Sequence, residues 1–348
     1  MKTAITEMFD IKYPIFNAGM GRVALPEMVA AVSQAGGFGV LGAGSSPPDL
    51  TRKMIREVRK LTDKPFGINC PLALPNAMDN AKVALEEQVA VINYSMGRGD
   101  WIVKEAEKYG GKAVASVNSV KLAVKAQDQG SAAVIAAGHE AAGHAGDITT
   151  FVQIPRLAEL LDIPVIAAGG IANGRGMAGA LALGADGVSM GTRMWTTQEC
   201  IMHQNWKDYA LELDVDGTLI SDKFDGILCR QMDSEWARKM LKRPVNYFQV
   251  LWDSFGIARE LDQPYLKLFW AILRRGPKAV DTMARMAQNL KAHGLTFTTG
   301  DMINGSTGAG QSVGLIHDLP TIAEVIERIA TEAEEVQREL AAKFSCTE

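Results

Sequence analysis

The chain is poor in cysteine, and the four it has, Cys70, Cys200, Cys229 and Cys346, lie far apart with no CxxC pair. That spacing argues against a disulfide-stapled scaffold or a zinc ribbon and fits a reducing compartment, with Cys200 and Cys229 read as small core residues. Long apolar runs are missing too, so no segment reads as a membrane-spanning helix. The opening MKTAITEMFDIKYP has no basic region followed by an apolar core. It is not read as a secretory signal, and the expected location is cytoplasmic. Neither sign of charge dominates: 36 Lys and Arg against 40 Asp and Glu give a formal net charge of -4. No basic field is left for nucleic acid or an anionic membrane. HExxH spacing is absent, since His139 and His144 are five apart in a glycine-interrupted loop, and no metal site is expected. Asn17-Ala-Gly-Met-Gly-Arg-Val contains GMG but lacks the third glycine of a GxGxxG fingerprint, which argues against a dinucleotide-binding sheet.

What is present is a chain of 348 residues, 47% hydrophobic and 22% charged. That is ordinary for a globular protein and enough for a barrel with an insertion. Short apolar segments rich in Val, Ile, Ala and Phe recur at Tyr13–Asn17, Phe38–Gly42, Phe66–Asn69, Val89–Asn93, Ala113–Val117, Ala132–Ala136, Val165–Ala168 and Gly187–Met190. They lack strict alternation, as strands buried on both faces should. Helix signals lie between them: Pro26 opens PEMVAAVSQA, and Asp49 is placed to cap DLTRKMIREVRKL. Eight strands alternating with helices predict an α/β fold, a (β/α)8 TIM barrel. The alternation stops after Thr197. The expected organisation is a barrel over 1–213, an inserted, mainly helical lid over 214–300, and a return loop with a C-terminal helix over 301–348. The insert carries Trp236, Tyr247, Trp252, Trp270, Arg274, Arg275 and Lys278, with Asp216-Gly217 and Asp225-Gly226 as hairpin turns at its entrance.

Three stretches carry chemistry. Val165-Ile-Ala-Ala-Gly-Gly-Ile-Ala-Asn-Gly-Arg-Gly176 and Gly184-Ala-Asp-Gly-Val-Ser-Met-Gly-Thr192 each run from a strand through glycine into a helix. Glycine lets backbone N–H groups face an anion, and a helix N-terminus adds favourable charge. Paired after the last two strands, they describe a TIM-barrel phosphate site. The other stretch is AAGHEAAGHAG, 136–146, which follows the sixth strand. Its small residues let a planar ligand approach, and His144 falls where barrel functional groups gather. Glu140 is read as a loop cap, and Asp147 as the carboxylate placed to orient an imidazole.

From Tyr13 to Thr192, and again near Ala309–Ile316, the chain resembles the nitronate monooxygenase (2-nitropropane dioxygenase-like) family of FMN-dependent TIM-barrel flavoenzymes. The resemblance rests on PIFNAGM (14–20), Gly67-Ile-Asn69, GHEAAGHAG (138–146), AAGGIANGRG (167–176) and GADGVSMGTR (184–193). It implies FMN as cofactor. Asn69 would bond the flavin or its ribityl chain, and Gly169, Gly170, Ser189, Met190, Gly191 and Thr192 would cradle the phosphate. The segment from Ala137 to Ala142 would lie along the cofactor, with Met20 and the Gly310-Gln311-Ser312 turn bordering the ring, Ala18 and Gly19 beside it, and His144 as catalytic residue. Two positions depart from the family pattern, which has glutamine at Ala137 and glycine at Ala142. The implied activity is oxidation of alkyl nitronates with O2 to carbonyl compounds and nitrite. Two other readings stand beside it: NAD(P)H-dependent reduction or dehydrogenation of an enoyl or acyl-CoA/ACP thioester or a quinone, and a barrel that binds flavin or a phosphate ligand without turnover. The partners expected are a small-molecule substrate and O2 or NAD(P)H, with homo-oligomers left open.

Overall fold

A computed structural model describes residues 1–242, 264–266, 270, 274 and 276–345, apart from the side chains at 278 and 279. Tyr247, Trp252, Arg275, Cys346 and the side chain of Lys278 therefore lie outside the described residues. Eight parallel strands form one sheet: β1 (Ile15–Asn17), β2 (Gly39–Gly42), β3 (Phe66–Pro71), β4 (Val91–Ser95), β5 (Lys112–Val117), β6 (Ala133–Ala137), β7 (Val165–Ala168) and β8 (Gly187–Met190). Each pairs with its neighbour in sequence from β2 to β8, and β8 pairs with β1. All eight limits fall within two residues of those read from sequence. Among the described residues, no helix is long and apolar enough to cross a membrane.

Successive strand residues feed two different cores, because side chains alternate across a pleated strand. Phe16, Val40, Val91, Val114, Ala133, Ile135 and Ile166 pack together inside the barrel. Ile15, Leu41, Ile92, Ala113, Val134, Val165 and Ala167 pack outward against the helices. With both faces apolar, the strands show no polar alternation in sequence. The helix Ala4–Phe9, closed at its start by a capping box on Thr3 and Thr6, supplies Ile5 and Phe9 to the interior core. The Phe9, Phe16 and Phe38 rings meet there edge-on or tilted, with centroids 4.9–5.9 Å apart.

The barrel closes between β1 and β2, where the backbone contributes one isolated bridge, Phe16 to Phe38. The buried Asn17 side chain does the rest. Its Oδ1 accepts the Val40 N–H at 2.8 Å and its amide donates to the Val40 carbonyl at 2.8 Å and the Ala18 carbonyl at 2.9 Å. A primary amide carries the same donor and acceptor as a peptide group, so it extends the ladder one step further.

Outside the sheet, the helix Pro48–Leu61 begins one residue before Asp49, with Pro47 at the cap position and Pro48 in the first turn. Asp49 is thus not the cap. Pro presets the φ of a first turn and has no N–H to leave unpaired there, and Asp49 sits in that turn where a negative charge is favoured. The C-terminal helix Ile322–Phe344 starts at a Thr321–Glu324 capping box and lies on the helix Gly174–Ala182. Gly174 allows the contact, since a Cβ there would fall 2.2 Å from the Glu332 Cβ. Residues 214–300 begin with an antiparallel hairpin of β9 (Thr218–Ser221) and β10 (Cys229–Met232). It turns through Asp222–Gly226, where Gly226 has φ +84°.

Two outcomes test this account. Asn17→Leu should destabilise the fold by about 2–6 kcal/mol in denaturant unfolding, at about 1–3 for each stranded Val40 group; a loss under about 1 kcal/mol would show that the seam closes without it. His293, on the helix Pro277–Thr298, is driven from 6.5 down to about 4, chiefly by burial and then by the Arg22 charge, against an opposing pull from Asp225. The folded state therefore holds this imidazole neutral while the unfolded chain protonates it. The stability is present above pH 6.5 and lost as pH falls toward 4. Thermal unfolding of His293→Gln should lose that part of the acid dependence, and an unchanged pH profile would contradict it.

Candidate active site

At the carboxyl ends of the strands lies a cavity of about 220 Å³. Its walls come from every part of the chain that the sequence marked. Ala18, Gly19 and Met20 follow β1, and Asn69 ends its wall on β3. Ala137 and Ala142 come from β6 and its loop, Gly169 from the turn after β7, and Ser189, Met190, Gly191 and Thr192 from β8 and the helix behind it. Gly170 and Gln311 are not part of the lining. Gly170, at φ +77°, completes the left-handed turn with Gly169 at φ +96°. Gln311 starts a short 3-10 helix and donates its N–H to the Glu140 carbonyl at 3.0 Å, while its neighbours Gly310 and Ser312 line the cavity.

Sequence reasoning did not assign a cofactor role to several lining residues. Asn93 on β4 is buried beneath Asn69 and accepts from its amide at 2.6 Å. Asn93 in turn donates to the Val114 carbonyl at 3.0 Å and to Ser116 Oγ at 2.9 Å. This chain of amides across β3, β4 and β5 commits the Asn69 amide to donating, which leaves Asn69 Oδ1 as the acceptor offered to a ligand. The signal was available, since a polar residue inside an apolar strand needs a partner. Gly19 permits the close approach of the β1 loop to this row: a Cβ there would meet the Asn69 Cβ at 2.2 Å. Trp195 also lines the cavity and is buried, and among the described residues its indole Nε1 has no hydrogen-bond partner.

The loop after β6 is held from two sides. On the barrel side, the Glu140 carboxylate accepts the Thr150 N–H at 2.9 Å and its hydroxyl at 3.0 Å, capping the helix Thr150–Leu160. His139 Nδ1 lies 3.0 Å from the Gly146 carbonyl, tied into the loop itself. On the other side is the β9–β10 hairpin. Gly143 and Arg230 exchange backbone hydrogen bonds of 3.0 and 2.8 Å. The buried Arg230 guanidinium donates to the His139 carbonyl at 3.1 and 3.3 Å and to Thr218 Oγ1 at 2.9 Å.

His144 is outside the cavity lining, on this gripped loop, with its side chain 34% exposed. Its Nε2 lies 2.7 Å from Asp225 Oδ2. The carboxylate beside it is therefore Asp225 of the hairpin and not Asp147, because the hairpin folds back onto the loop. Cys229 is buried as expected but not remote from the chemistry: its sulfur, His144 and Asp225 offer ligand atoms within 4.8 Å of one another. Burial pushes the Cys229 thiol up, and the neighbouring Asp225 adds to the shift. His203 caps the helix Gln204–Glu212, accepting from the Asn205 N–H at 3.2 Å. A second cleft of about 480 Å³ runs between the helix Gly174–Ala182 and the C-terminal helix. Charge fills its walls in pairs, with Asp318 bridging Arg193 at 2.9 Å and Arg328 at 2.6 Å.

Comparison with known proteins places the barrel in a family. The family model described as nitronate monooxygenase matches residues 2–104 and 81–332. The chain is 31% identical over 348 residues to (3aS,4S,5R,7aS)-5-hydroxy-7a-methyl-1-oxo-octahydro-1H-indene-4-carboxyl-CoA dehydrogenase of Mycobacterium tuberculosis, covering 96% of each chain. It is 28% identical to a probable nitronate monooxygenase of Staphylococcus saprophyticus, over 69% of this chain and 81% of that one. Among solved structures, FabK from Thermotoga maritima superposes with a TM-score of 0.83 at 33% identity, over 99% of this chain and 100% of that one. The glycine-lined mouth of an eight-stranded barrel thus belongs to an oxidoreductase, and the chain is a member of the nitronate monooxygenase family of flavin-dependent enzymes.

Proposed function

We propose that the chain is an FMN-dependent oxidoreductase acting on an acyl thioester, adding or removing hydrogen at the carbons next to the thioester carbonyl, with NAD(P)H as redox partner. The observation that carries the choice of substrate is coverage. The relative that spans 96% of both chains acts, by its name, on a CoA thioester, whereas the nitronate relative spans 69% of this chain. The residues of the cavity fit FMN. The unpartnered Trp195 Nε1 is a buried donor without an acceptor, and such a group is costly unless a ligand supplies one. Gly191 lines the cavity, with its Cβ position in ordinary contact with Met20 Sδ at 3.5 Å and Ala18 Cβ at 3.6 Å. Gly169, Ser189, Gly191 and Thr192 would hold the FMN phosphate, and Asn69 Oδ1 would accept from the flavin or its ribityl chain.

When bound, FMN would supply the hydride and electron transfer. The chain's own part is to orient substrate and move a proton. His144 would exchange that proton with the substrate carbon, since an imidazole can act in either direction near neutral pH. Residues 214–300 would serve as the lid, supported by the grip of Arg230 and Asp225 on the loop that carries His144.

A second reading is oxidation of an alkyl nitronate with O2, supported by the family match and by the same histidine facing an anionic substrate. Anaerobic mixing separates the two. Bleaching of the flavin by NADPH or NADH, with reoxidation by an enoyl thioester such as crotonyl-CoA, supports the thioester reading. Bleaching by propionate 3-nitronate alone, with none by NAD(P)H, supports the nitronate reading. His144→Ala with flavin retained should lower turnover by about 10²- to 10⁴-fold, the usual worth of a positioned acid or base; unchanged turnover removes its role. Trp195→Phe should weaken FMN binding about 10-fold, the loss of one good hydrogen bond. Equal FMN affinity by fluorescence titration would show that the indole N–H makes no cofactor contact.

A further inference from the structure

We infer that Asp225, on the turn between β9 and β10, is a positioning residue for His144: it accepts the hydrogen bond from Nε2–H and leaves Nδ1 as the nitrogen that exchanges a proton with substrate. This rests on the reading of His144 as the proton-transfer group. The Asp225 side chain is buried and fixed from two sides, with Oδ2 on His144 Nε2 at 2.7 Å and Oδ1 accepting the Ile227 N–H at 3.1 Å. An ionised carboxylate only accepts, so the hydrogen between them belongs to Nε2. In the neutral ring the other nitrogen is then an acceptor. Among the described residues, Nδ1 has no hydrogen-bond partner, while the side chain keeps 34% of its surface exposed.

The ring is fixed through its backbone as well. The Gly143–Arg230 bridge lies one residue before His144, and the Asn118 amide donates to the His144 carbonyl at 3.3 Å. The hairpin thus sets where the loop runs and how the imidazole is turned. When substrate loses its proton, the C–H bond breaks toward Nδ1, the electron pair stays on the substrate carbon, and a new N–H forms. The imidazolium so produced is paired with the Asp225 carboxylate. In the opposite direction the Nδ1 proton returns to carbon. Without the carboxylate, the ring is free to place its single proton on either nitrogen and to turn.

The test uses the flavin-loaded enzyme. In protein carrying 15N-labelled histidine, at a pH where the ring is neutral, His144 should show a protonated Nε2 and an unprotonated Nδ1. The reverse tautomer in the wild-type enzyme overturns the inference, whatever the variants do. Asp225→Asn should keep the flavin spectrum, mix or reverse the tautomer, and lower kcat by about 10²- to 10⁴-fold with a smaller change in KM. Asp225→Glu should recover part of that loss. If His144→Ala abolishes turnover while Asp225→Asn retains the wild-type kcat and tautomer, the positioning role is wrong and the function stands. If His144→Ala is itself active, the reading beneath it fails.

Discussion

An eight-stranded parallel sheet becomes a barrel only if its last pair of edges meets, and here that join rests largely on the side chain of Asn17. β1 has three residues and carries one backbone bridge to β2, so the ladder is short where closure is decided. The amide at Asn17 supplies one more donor–acceptor step, deep in the wall where water cannot. Everything at the mouth follows from that closure. Met20 and Gly19 sit on the loop directly after this strand, and they face Asn69 only because β1 and β2 are held together.

The strands and the glycine turns were legible in the sequence because they obey local rules. A strand buried on both faces is an apolar run, and a backbone that must turn through positive φ needs glycine, as at Gly169 and Gly170. Most of the cavity wall could be named for the same reason. What could not be read locally was partnership across the chain. Asp225 lies 81 residues from His144, and only the folding back of the hairpin shows that it, and not Asp147, meets the imidazole. Asn93 was hidden in an apolar strand, and Trp195 in a four-residue helix too short to show periodicity. Gly170 and Gln311 fall outside the lining, while Gly169, Gly310 and Ser312, marked in the same two turns, reach it.

Barrel and insert divide the labour. The barrel's strand ends present small residues and a row of committed amides, suited to holding a flat, polar cofactor, and they are built from residues 18–192. The insert's hairpin brings charge: a buried arginine on a carbonyl and a buried carboxylate on an imidazole. Relatives that share the barrel need not share chemistry, because the carboxylate that meets His144 is carried by a segment outside the eight strands.

The helix Ala4–Phe9 gives the molecule a sense of direction. By pressing Phe9 onto Phe16 and Phe38, it seals the end of the barrel opposite the cavity with side chains almost wholly removed from solvent. The pocket is therefore a blind well. Among the described residues, the cavity opens at the carboxyl ends of the strands, away from that seal.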